Sequence, residues 1–176
     1  FGRGELSDAY HGHAYFNSVY NIYQGMPYTH NVTSIYGHYG LFFKIPMELV
    51  HGDFKAFVAM VAGIGAFAHI CAFLILELLV KSRVLRVLGA LVTFPVLGMR
   101  GGFYWQVWPH RVIFPMLLFL YGAWILKKEL CNFWTAVGGY LICLLAILWN
   151  TETGLILTVA WAGMLISRFL SVGKIK

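Results

Sequence analysis

The stretch from Phe54 to Val80 reads FKAFVAMVAGIGAFAHICAFLILELLV. Its charged side chains are Lys55 near the start and Glu77 near the end, with His69 between them. A helix needs about 20 consecutive apolar residues to cross the hydrocarbon core of a bilayer. This stretch has that length, with enough left over to tilt. Working outward, four more apolar segments follow it: Val84–Met99, Val112–Leu126, Phe133–Trp149 and Leu155–Leu170. The second and third segments of the five are short and carry Pro95 and Pro115. Residues 1–52, by contrast, are aromatic and polar, and hold no run long enough to span.

Composition agrees with that reading. Of 176 residues, 60% are hydrophobic and 11% charged, against about 25% charged in soluble domains. A water-soluble domain of this length cannot hide so much apolar surface. The expected fold is therefore an all-α integral membrane protein of about five transmembrane helices. An extracytoplasmic loop with an amphipathic interfacial helix precedes them. Residues 1–52 form that loop region and residues 53–176 the transmembrane region.

The formal net charge of +6 suits membrane lipid with anionic headgroups, and phosphates. It does not suit nucleic acid, because no basic run outside the apolar segments is long enough to track a backbone. Cys71, Cys131 and Cys143 lie in or beside apolar segments and match no metal-ligand spacing, so they read as small buried hydrophobes. The chain opens on Phe1 without an initiator Met, and the expectation is a fragment of a longer protein.

Connectors give the orientation. Lys81, Arg83 and Arg86, then Lys127 and Lys128, then Arg168, Lys174 and Lys176 fall at alternate ends of successive segments. They therefore share one side, which the positive-inside rule makes cytoplasmic. Residues 1–52, the Gly98–Arg111 loop and the Asn150–Gly154 turn then face outward. Six of the seven histidines lie there: His11, His13, His30, His38, His51 and His110. The polar and aromatic residues able to do chemistry gather on that face.

The outward segment begins with Ser7 as a helix N-cap and Asp8 in the first turn. The pattern predicts a helix from Asp8 to about Gln24, ended by Gly25 with Pro27 beyond. Its tyrosines are expected at headgroup depth, ring in lipid and hydroxyl in water. Asp8, His11 and Tyr15 share one face, and Glu5 lies in the approach. Spacing alone leaves two roles open for the carboxylate: a cap, or a general base. A structured loop rich in Gly, Pro and aromatics follows, containing the sequon Asn31-Val32-Thr33.

Ser7-Asp8-Ala9-Tyr10-His11-Gly12, then Gly25-Met26-Pro27-Tyr28, then Tyr36-Gly37-His38-Tyr39-Gly40 together resemble the first extracytoplasmic loop of GT-C-type glycosyltransferases. The bacterial branch that uses polyprenyl-phosphate sugars is the nearest in pattern. Asn150-Thr151-Glu152-Thr153-Gly154 resembles a short outward turn of such proteins. The resemblance covers the loop well and the spans only in pattern. It implies an inverting transfer of sugar from a polyprenyl-phosphate donor to an extracytoplasmic glycan or lipid acceptor, in a bacterial inner (plasma) membrane. Carried over, the catalytic base is Asp8, with Glu5 as the neighbouring candidate. His11, Tyr28 and His38 become substrate-binding residues. No adjacent acidic pair is present, so the choice between Glu5 and Asp8 stays open, as does a divalent cation as cofactor. No metal ligand is assigned.

Such a transfer needs positive charge for the departing phosphate, and the guanidinium fork binds phosphate oxygens in pairs. Arg100 and Arg111 flank an outward loop containing Tyr104, Trp105 and Trp108, whose rings can stack on a sugar. The plainer reading has both arginines snorkelling at span ends, with the tryptophans forming an interface belt. Glu152 is expected to cap the last span, or else to help bind an acceptor or cation. Glu77 is expected to pair with Lys81 one turn on, and His69 to pack through a hydrogen bond. Two other classes compete: a transporter or flippase, which calls for broken helices and inverted repeats, and a non-catalytic membrane scaffold subunit.

Overall fold

The computed structural model describes residues 9–27, 37–98, 109–130 and 132–172. Among these residues the fold is all-helical, with no strand. The elements are α1 (Ala9–Tyr23), a 3₁₀ turn (Tyr39–Phe43), α2 (Lys44–Leu49), α3 (Phe54–Leu79), α4 (Arg83–Gly98), α5 (Ile113–Lys127), α6 (Phe133–Trp149) and α7 (Thr151–Val172).

The ends of these helices follow from local chemistry. α1 closes on Gly25 at φ +78. The Gly25 N–H donates to the Ile22 carbonyl at 3.0 Å and the Met26 N–H to the Asn21 carbonyl at 3.0 Å, the bond pair of a Schellman cap. Asp53 caps α3, its carboxylate accepting the Lys55 N–H at 3.0 Å. Asn132 and Thr135 cap α6 reciprocally: Asn132 Oδ1 accepts the Thr135 N–H at 2.9 Å, and Thr135 Oγ1 accepts the Asn132 N–H at 3.1 Å. Pro115 stands in the first turn of α5, where no intrahelical acceptor awaits its missing N–H.

α3 and α7 are long and apolar enough to cross a membrane. Their 26 and 22 residues rise about 39 and 33 Å, against a hydrocarbon core of about 30 Å. α4, α5 and α6 have 16, 15 and 17 residues, or about 22–26 Å. All five apolar segments are helical. Length alone qualifies two of them.

α3 packs on α4 and α5, α5 on α6, and α6 on α7. Small residues supply much of the buried face of α3, and many large apolar side chains of α3 and α7 face outward. On α3 the buried positions include Gly65, Ala68, Cys71 and Ala72, while Phe67, Ile70, Phe73 and Leu74 are exposed. On α7, Trp161 is buried but Ile156, Val159, Ile166 and Leu170 are exposed. Water penalises that distribution at about 25 cal/mol per Å² of apolar surface, whereas lipid tails do not, and small residues let helices approach closely there. Gly139 shows the principle: a Cβ there would overlap the Trp161 ring, whose indole donates to the Ala136 carbonyl at 3.2 Å.

Three details differ from the sequence expectations. The last helix starts at Thr151 rather than Leu155, because Asn150 Oδ1 accepts the Thr153 N–H at 2.9 Å and caps it. Glu77 pairs with Arg86, on α4, instead of Lys81. The apolar face of α1 is turned into the protein: Tyr15, Val19 and Ile22 are buried, and Phe16 packs edge-on against Phe54. His69 does pack through a hydrogen bond, its Nδ1 lying 2.8 Å from the Gly65 carbonyl. Cys71 and Cys143 are buried; Cys131 and the sequon lie outside the described residues.

Candidate functional site

One end of the bundle is capped by α1, the 3₁₀ turn and α2. Tyr15, Ser18, Val19 and Ile22 recur at helical spacing, so one face of α1 turns inward. Tyr15, Val19, Tyr39, Phe43, Met47, Phe57, Ile113 and Trp149 form a single buried cluster. It joins residues from the N-terminal segment to the ends of α3, α5 and α6.

Ser18, Tyr39, His110, Trp149 and Asn150 hydrogen-bond within this cluster. Tyr39 Oη lies 3.0 Å from the Tyr15 carbonyl and 2.6 Å from Ser18 Oγ, which is itself 3.1 Å from that carbonyl. The His110 ring stands edge-on to Tyr39 and Tyr15, with centroids 4.9 and 5.3 Å away. Its carbonyl accepts the Trp149 indole N–H at 2.9 Å. Its Nε2 is 3.1 Å from Asn150 Nδ2. Asn150 Oδ1 is committed to the Thr153 N–H, so Nδ2 is the donor facing the imidazole and Nε2 is the acceptor.

The turn at Gly37-His38 docks on the same place. The His38 N–H donates to the Leu148 carbonyl at 3.1 Å. Gly37 has φ +113, and a Cβ there would overlap the Trp149 carbonyl, so only glycine permits this approach. Gly40 lies against Ile22 of α1.

On the rim, Arg111 follows His110 and its Nη2 is 3.1 Å from Glu152 Oε2. The side chains are 43% and 74% exposed, so this pair is open to solvent and to ligand. Glu152 is therefore an ion-pair partner and not the cap that was expected of it; Asn150 holds that position. The cluster itself encloses a void of about 10 Å³ between Tyr15, Tyr39, His110 and Trp149, room for one water. A larger ligand has to lie against the outer face of this cluster.

Of the residues singled out in the sequence, His38, Arg111 and Glu152 come to this one end: His38 through its backbone, Arg111 and Glu152 through their charges. His11 lies in α1, where only its backbone is described. Glu5, Asp8, Tyr28, Arg100 and Trp105 lie outside the described residues. Among the described residues no three of His, Cys, Asp or Glu stand together as a metal-ligand group.

Sequence reasoning did not place Tyr39, His110 or Asn150 at the centre. Their signal is burial of polar groups, which becomes visible only once distant segments meet. A search for related proteins gave no match to a protein family, to a curated protein or to a solved structure.

Proposed function

We propose that the chain is an integral membrane protein whose five longer helices span the bilayer. In this reading it forms part of a glycosyltransferase that moves a sugar from a polyprenyl-phosphate donor to an extracytoplasmic glycan or lipid acceptor. The observation that carries the proposal is a convergence. The Gly37–Gly40 turn, part of the resemblance, bonds through the His38 N–H to the Leu148 carbonyl near the end of α6, two residues before Asn150, where the other outward element of the resemblance begins. Arg111 stands beside them on the exposed rim.

The chemistry assigned to this end is a single displacement. A carboxylate, Asp8 or Glu5, removes the proton from an acceptor hydroxyl. The acceptor oxygen then attacks the anomeric carbon from the face opposite the phosphate. The bond from that carbon to the phosphate oxygen breaks, and polyprenyl phosphate leaves with the electron pair. Arg111 neutralises the departing phosphate, exchanging Glu152 for it; exposed ion pairs contribute only about 0–1 kcal/mol, so the exchange is cheap.

The test uses the full-length protein in detergent, given a polyprenyl-phosphate hexose with labelled sugar and a membrane-lipid extract as acceptor. Release of label from the prenyl phosphate is followed for Asp8→Asn, Glu5→Gln and the double variant. One of the single variants is expected to lose about 10²–10⁴-fold in rate, with thermal unfolding unchanged. Full transfer by the double variant removes the carboxylate assignment. The absence of transfer by the unsubstituted protein with any donor supports a non-catalytic membrane subunit instead.

A further inference from the structure

A groove of about 490 Å³ lies on the opposite half of the bundle, between α3, α5 and α7, with Thr93 of α4 on its edge. Its walls are almost wholly apolar. Ala72, Gly122, Ala123 and Ala160 make it concave, and Trp161 and Met164 line it from α7. Its one hydroxyl, Thr93 Oγ1, is already bonded to the Gly89 carbonyl at 2.6 Å. Nothing polar in the groove asks for a polar ligand.

Depth and charge say what fits. Along α5 the lining runs from Met116 to Leu126, a rise of roughly 15 Å, about half the hydrocarbon thickness of a bilayer. The groove is therefore one leaflet deep. It ends at Leu79 and Leu126, and cations follow directly: Lys81 and Arg83 after the first, Lys127 and Lys128 after the second. All four are exposed, and none is in an ion pair among the described residues, whereas nearby Arg86 is held by Glu77. An apolar chain one leaflet long, continued by a negative headgroup at the basic end, complements this arrangement.

We propose that the groove is a binding site for an anionic phospholipid of the leaflet that the basic end faces. One acyl chain lies along Ala72, Gly122 and Ala160, and the phosphate sits among Lys81, Arg83, Lys127 and Lys128. This rests on the membrane half of the reading above and not on the glycosyltransferase half. The site lies at the other end of the bundle from the Arg111 rim. It leaves Arg86 on Glu77.

The experiment uses the full-length protein. Carbonate-washed membranes are first checked for retention, because release into the aqueous fraction removes the membrane reading itself and the lipid site with it. The purified protein is then titrated with dioleoyl phosphatidylglycerol, with dioleoyl phosphatidylcholine and with glycerol phosphate, and bound lipid is counted by native mass spectrometry. Phosphatidylglycerol is expected to bind at least tenfold more tightly than phosphatidylcholine, and glycerol phosphate not to compete.

Lys127→Gln with Lys128→Gln is expected to weaken phosphatidylglycerol on the order of thirtyfold, since each cation contributes about fivefold near an anionic headgroup. Ala160→Phe fills the groove and is expected to remove both lipids. Should that variant fail to fold, the lysine pair alone decides, because both lie on the exposed surface. Retention in the membrane with equal binding of the two lipids overturns the site. So does phosphatidylglycerol binding that the lysine substitutions leave unchanged.

Discussion

Asn150 meets His110 across 3.1 Å from the turn between α6 and α7, while the other atom of its amide holds the first turn of α7 through Thr153 at 2.9 Å. One buried side chain thus caps a helix and fixes an imidazole. Asn150→Ala removes both bonds. Losing the cap costs about 1 kcal/mol, and losing a buried hydrogen bond about another 1. Asn150→Ser retains a capping oxygen and is expected to lose about half as much. Thermal unfolding in one detergent compares the two, and an Asn150→Ser midpoint equal to that of the unsubstituted protein would mean that the His110 contact carries nothing.

Gly37 and Gly25 both have positive φ, at +113 and +78, but their surroundings differ. A Cβ at Gly37 would overlap the backbone of Trp149, whereas at Gly25 nothing lies within 4 Å. Gly25→Ala therefore costs only backbone strain, about 1 kcal/mol. Gly37→Ala adds a clash with backbone that cannot rotate away, and is expected to undock the turn from Leu148. Amide hydrogen exchange at His38 reads that undocking directly. Protection of His38 unchanged in Gly37→Ala speaks against the docking.

Much of the helical layout was legible because apolar runs of this length have few other uses. Helices stand at Phe54–Leu79, Arg83–Gly98, Ile113–Lys127 and Phe133–Trp149, each within two residues of the apolar segment that foretold it. What the pattern could not convey was direction. Hydrophobicity marks a side chain as avoiding water without saying whether lipid or protein receives it, so Tyr15, expected at the headgroups, is instead buried beside Tyr39. Pairings between distant segments were also hidden. Glu77 has Lys81 one turn away but bonds Arg86, and Glu152 finds Arg111 in the turn before α5. Local spacing ranks only local partners.

Gly139 and Gly163 give a matched pair within the α6 and α7 hairpin. A Cβ at Gly139 would overlap the indole of Trp161, which is 2% exposed and bonded to Ala136. A Cβ at Gly163 would meet nothing within 4 Å. Gly139→Ala is expected to force α6 and α7 apart and cost about 1–3 kcal/mol, the range for overpacking a close contact. Gly163→Ala is expected to be neutral or stabilising by up to about 1 kcal/mol, because alanine is the better helix former. Tryptophan emission should shift in Gly139→Ala alone. The same loss of stability in both variants would mean that helix backbone, not the Trp161 contact, sets the effect.

Arg111 and Glu152 separate stability from function. Their side chains are 43% and 74% exposed and 3.1 Å apart, the setting in which ion pairs contribute about 0–1 kcal/mol. Arg111→Gln and Glu152→Gln should each leave the unfolding midpoint within about that range. Transfer is a different matter if Arg111 takes the leaving phosphate. Arg111→Gln is then expected to lower the rate on the order of 10²-fold, as for loss of one group stabilising developing charge. Arg111→Lys should recover part of it, since charge remains but the two-pronged fork does not. Glu152→Gln removes the competitor for the guanidinium and should leave transfer equal or slightly higher. Rates with labelled polyprenyl-phosphate hexose, set beside unfolding midpoints for the same preparations, distinguish the cases. An Arg111→Gln variant that transfers sugar at the full rate would confine this pair to tying the α5 and α7 ends together.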